Sequence, residues 1–101
     1  MSWAQNAIES LKNGETVTIT PRGNSMKGKV NSGSKVTLKP VGDMELKKGD
    51  IVLARVNGKD YLHLIKGLGK KKFLIGNNNG HINGWTARKN IYGIAVEVSK
   101  E

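Results

Sequence analysis

The pair Asn57-Gly58 restricts this chain more than any other two residues. It separates two apolar-rich runs, "DIVLARV" and "DYLHLIK". Asparagine and glycine both tolerate the left-handed backbone that a two-residue hairpin turn demands, so residues 51–56 should pair antiparallel with 60–66. The first run is almost continuously apolar, which suits a strand buried on both faces. In the second, Leu62 and Leu64 alternate with Tyr61, His63 and Ile65, so the two sets face opposite sides of the sheet.

The rest of the chain reads outward from that hairpin. "ETVTIT" and "KVTLK" alternate apolar and polar residues, and Pro21 and Pro40 close them because proline gives no ladder donor. "GLGKKK" makes a second turn before the strand "KFLIG". The polar stretch "NNNGHINGWTARKN" reads as a loop, and "IYGIAVEV" reads as the closing strand. Ahead of them, Trp3, Ala7, Ile8 and Leu11 share one helical face. Ser2 and Gln5 have capping-box spacing, and Asn13-Gly14 is a stop signal. The expectation is a mainly β fold in one compact domain spanning 1–101. A helix over about 3–12 precedes a β-domain over about 15–98, with about six short, largely antiparallel strands.

Several functional classes are excluded at once. With no cysteine there is no disulfide, thiolate nucleophile or cysteine-based metal site. The two histidines lack metal-ligand spacing, so neither metal nor cofactor is expected. No apolar run approaches the ~20 residues of a membrane span, and the N-terminus lacks the features of a secretory signal. A cytoplasmic protein is the expectation. The net charge of +9 arises from 17 Lys and Arg against 8 Asp and Glu, and attracts polyanions. Lys70, Lys71 and Lys72 form the densest cluster, in a turn where they serve equally as solvated surface. Lacking a helix-turn-helix, zinc-finger or RNA-binding pattern, nucleic acid ranks behind a polypeptide as partner.

The chemistry centres on "RGNSMKGKV", a glycine-bounded basic loop carrying Ser25. A hydroxyl attacks only when a base removes its proton. Asp43, Asp50 and Asp60 stand beside turns, and the sequence alone draws no Ser-His-Asp triad. Two candidate bases fall on 60–66. His63 is basic and neutral near its ordinary pKa of ~6.5, whereas Lys66, next to Gly67, would need deep burial to lose its charge. His81 lies in the Gly/Asn-rich loop, where exposure is expected.

The order of these pieces resembles the serine peptidase superfamily that contains LexA-type repressor C-terminal domains and type I signal peptidases. "PRGNSMKGKVNSGSKVTLKP" is similar to its nucleophile box and "KKGDIVLARVNG" to the following Gly-Asp box. "YLHLIKGL" stands where the base belongs, and "LIGNNNGHINGW…IYGIAVEV" resembles the terminal box. The resemblance runs from about Gly14 to Val98. It implies that Ser25 is the nucleophile and that its own amide, held by the Gly23-Asn24 turn beside Met26, donates to the oxyanion. It also implies a base at position 63. LexA-type members and bacterial signal peptidases carry lysine there, whereas the endoplasmic-reticulum and archaeal signal peptidases use histidine. Where those histidine-type enzymes have supporting aspartates, this chain has Asn77, Asn78 and Asn79.

The expected function is therefore cleavage of another polypeptide by a Ser25–His63 dyad, with Asn24, Met26 and Asn77 in support. No Ala-Gly or Cys-Gly bond is present for self-cleavage, so a free-standing domain acting in trans is expected, of bacterial or phage type. The alternative is a catalytically silent module on the same fold that engages DNA or an acidic protein through its basic surface.

Overall fold

A computed structural model describes residues 4–21, 26, 30 and 33–99. Ser25 and Asn24 lie outside the described residues, as do Ser2 and Trp3. Helix α1 (Gln5–Lys12) is followed by β1 (Val17–Ile19), β2 (Lys35–Pro40), β3 (Ile51–Val56), β4 (Lys59–Leu68), β5 (Lys72–Gly76), β6 (Ile82–Ala87) and β7 (Ile91–Ser99). A short 3₁₀ turn, Arg88–Asn90, joins β6 to β7. The seven strands form one antiparallel sheet in the order β1-β2-β7-β3-β4-β5-β6.

The β3–β4 hairpin forms as the Asn57-Gly58 pair dictates. Val56 pairs with Lys59 and Ile51 with Leu64. The turn residues take φ of 51° and 83°, the doubly left-handed geometry these residue types permit. β3 is central and buried on both sides. Leu53 joins a cluster beneath α1 with Ala7, Ile8, Leu11, Val36 and Leu38. Val52, Ala54 and Val56 join a second cluster with Ile65, Ile75 and Ile91. Fully burying each such aliphatic side chain contributes about 1.5–3 kcal/mol, so this double-sided strand anchors the sheet.

Two boundaries differ from the sequence reading. The helix, expected over about 3–12, runs over Gln5–Lys12 among the described residues, with buried Ala4 at the N-cap and no side-chain cap. Among the described residues there are seven strands, against about six expected, because β6 occupies the middle of the supposed 77–90 loop. Its signal was masked by an irregularity. Ile75 pairs with Gly84 and Gly76 with Ile82, so Asn83 is an extra residue, a β-bulge. The strict period of two is broken there, and Gly84 adopts φ +139° to accommodate it.

β4 carries a matching bulge. Ile65 pairs with Ile75 and Gly67 with Leu74, leaving Lys66 as the extra residue. The two bulges increase twist, and the sheet coils until β6 approaches β3. Thr86 Oγ1 donates to the Arg55 carbonyl at 2.7 Å. A Cβ on Gly84 would sit 3.3 Å from Val56 Cγ1.

Candidate active site

His63 is fixed by alternation along β4. Leu62 and Leu64 point into the α1-side cluster, while Tyr61 and Ile65 join the opposite one. His63 shares the Tyr61 and Ile65 face. Its ring lies 5.0 Å from that of Tyr61 at an interplanar angle of 26°, and the residue is only 6% exposed. Along β4, the ladder to β5 begins at Leu64↔Gly76. At His63 the described ladder runs to Val52 of β3 alone, so the edge of β4 over 59–63 carries no β5 partner among the described residues.

Asn83 completes this arrangement. Carried on the β6 bulge, its Oδ1 accepts a hydrogen bond from His63 Nδ1 at 2.6 Å. An amide oxygen only accepts, so the Nδ1 side carries the proton and Nε2 is the basic nitrogen of the neutral ring. A bulge is a common device for re-aiming one side chain, and here it turns an asparagine toward an imidazole on another strand.

Electrostatics keep the ring neutral. Burial lowers the His63 pKa below its ordinary 6.5, because removing water disfavours imidazolium. The Asn83 hydrogen bond opposes that shift, and the nearby His81 adds to it by like-charge repulsion. At pH 7 the group is therefore in its base form.

Asn77, the asparagine suggested by sequence order, is engaged elsewhere. Its Oδ1 accepts from the backbone amides of Asn79 (2.8 Å) and His81 (2.9 Å), and its own amide donates to the His81 carbonyl. It shapes the β5–β6 loop, and the asparagine brought to His63 is Asn83. An Asn-Gly pair inside an apolar-flanked segment was the available signal, since it marks a bulge when no hairpin follows.

Met26, next to Ser25 in sequence, is 4% exposed and belongs to the cluster containing Leu62 and Leu64. Val30 N–H donates to the Met26 carbonyl at 2.7 Å. Met26 thus packs on the side of β4 opposite the His63 ring. His81 is exposed, and Lys66 is half-buried with its Cγ 3.1 Å from where a Cβ on Gly76 would stand. Lys70 and Lys71 are exposed at the tip of the β4–β5 hairpin, and Lys72 opens β5. Among the described residues, no helix is long and apolar enough to cross a membrane.

A protein-family model described as Peptidase S24-like matches residues 2–96. Comparison with curated proteins gives no match. The match spans nearly the whole chain, and its mainly β sheet with one short helix is consistent with that fold. The chain belongs to the Peptidase S24-like family.

Proposed function

We propose that this Peptidase S24-like chain cleaves a peptide bond in another polypeptide, with Ser25 as nucleophile, His63 as general base and Asn83 as the residue that positions His63. The observation carrying the proposal is the 2.6 Å contact of His63 Nδ1 with Asn83 Oδ1. It fixes the tautomer whose Nε2 can accept a proton, and burial keeps that nitrogen unprotonated at pH 7.

In this reading Nε2 takes the Ser25 hydroxyl proton as Oγ attacks the scissile carbonyl. The Ser25 amide donates to the oxyanion. The imidazolium then protonates the departing amine, leaving an acyl-serine. A water molecule, deprotonated by the same nitrogen, hydrolyses it and returns the hydroxyl. Asn83 orients the ring but supplies no negative charge to the imidazolium. A slower reaction than that of a carboxylate-supported histidine follows. In this reading the substrate lies as an extended strand beside β4.

The neutral amide at position 83 also favours a second reading, a module that keeps the fold and binds polypeptide without cutting it. Incubating the protein with a mixed peptide library and reading new termini by mass spectrometry separates the two. The first reading expects cleavage that disappears in Ser25→Ala. Intact peptides across pH 6–9, with the protein folded, would overturn it.

A further inference from the structure

A concave site with neither His63 nor Asn83 in its lining lies elsewhere on the molecule. Where the C-terminus of α1 meets the end of β2 and the start of β7, a surface groove of about 470 Å³ opens. This is within the roughly 300–1,000 Å³ typical of ligand sites. Leu11, Ile91 and Tyr92 give it an apolar lining, and Lys12, Arg88 and Lys89 also line it. Among the described residues, none of those lining it is acidic. The carboxylates closest in sequence to its 40–42 wall, Asp43 and Glu45, are exposed and outside the lining.

Two of the three cations, Arg88 and Lys12, are held rather than merely nearby. Arg88 Nη2 donates to the Gly42 carbonyl at 3.0 Å and also to that of Met44. The Lys12 ammonium sits 5.5 Å from the centre of the Tyr92 ring, and the Arg55 guanidinium 5.8 Å from it. Two cations therefore already engage Tyr92, the one aromatic ring among the described lining residues. That disfavours a nucleobase, which needs a ring face for stacking. A partner combining carboxylates with aliphatic side chains meets both the positive groups and the apolar floor.

We propose that this groove binds an acidic, leucine-type segment of a polypeptide. The site stands independently of whether Ser25 and His63 form a working pair.

The test uses the full chain carrying Ser25→Ala, so that no probe is cut. A fluorescein-labelled decapeptide of alternating glutamate and leucine is titrated at moderate salt and followed by anisotropy. Saturable binding is expected. Reversing two groove charges, Lys12→Glu with Lys89→Glu, should weaken it about tenfold or more, which corresponds to about 1.4 kcal/mol. The same charge change at the hairpin tip, Lys70→Glu with Lys71→Glu, should weaken it less than about twofold at moderate salt, where distant charges are screened. Should the first pair fail to fold by circular dichroism, Lys12→Gln with Lys89→Gln replaces it, with a weakening about half as large on the logarithmic scale expected. Equal weakening by both pairs would mean diffuse attraction and overturn the site. So would absence of saturable binding, or tighter binding of an oligothymidine decamer with the same dependence on Lys12 and Lys89.

Discussion

Asn83→Ala removes one hydrogen bond from the proposed site, and its consequences follow from the geometry. His63 is 6% exposed, and its Nδ1 stands 2.6 Å from the Asn83 carbonyl oxygen. Deleting that acceptor leaves a nearly buried N–H facing the space of the lost amide. Loss of a buried partner costs about 1–3 kcal/mol, more than the net worth of an ordinary hydrogen bond. For a chain of 101 residues, about 2 kcal/mol lowers the melting temperature by roughly 8–16 °C. The same bond is the influence that raises the His63 pKa against burial, so its removal should lower that pKa further. Asn83→Asp should act in the opposite direction, because a carboxylate at the same atom favours imidazolium. Thermal melts give the first quantity, and NMR titration of the imidazole protons gives the second, with His81→Gln assigning the two rings. If Asn83→Ala melts with the native protein and neither substitution moves the His63 titration, the contact does not hold the ring and the reasoning is wrong.

Other outcomes follow from the same structure. Because the His63 pKa is lowered on folding, the unfolded chain takes up the proton first as pH falls. Stability linked to this residue is thus fully present above about pH 6.5 and declines below it; urea melts at pH 7.5 and 5 should show a larger loss for native protein than for His63→Gln, and equal losses would contradict this. Gly76→Ala would place a Cβ 2.6 Å from the His81 carbonyl oxygen, a backbone atom, so the 77–81 loop must shift. A destabilisation of about 1–3 kcal/mol with displaced His81 resonances is expected, and a neutral substitution would refute the close approach. Leu53→Ala empties a fully buried position under α1 and should cost about 2–5 kcal/mol in urea titration, whereas a loss below 1 kcal/mol would mean the site collapses freely.

Much of the fold was legible because its strongest signals are local. Asn57-Gly58 set the β3–β4 register, and the "GLGKKK" turn appears as Leu68↔Phe73 closed by Gly69 N–H to the Lys72 carbonyl. β6 was hidden because its bulge interrupts alternation in a segment already rich in asparagine and glycine. The candidate site was legible only in part for a related reason. His63 could be placed on a strand face from its neighbours, but which of four nearby asparagines meets it depends on the bulge geometry of a non-adjacent strand. Position 77, favoured by sequence order, lies at the start of a turn whose backbone amides capture its carbonyl. Position 83 is turned toward His63 by one unpaired residue, and no count along the chain encodes that direction.

The central claim is that Ser25 attacks with His63 as its base. It is tested most directly by the rate at which a fluorophosphonate probe phosphonylates Ser25, with loss of fluoride, as a function of pH, read by peptide mass spectrometry beside the NMR titration of His63. The account predicts modification at Ser25 that rises with pH through the His63 titration and is lost in His63→Ala while the fold is retained. Modification that is absent, or that proceeds equally in His63→Ala, would contradict it.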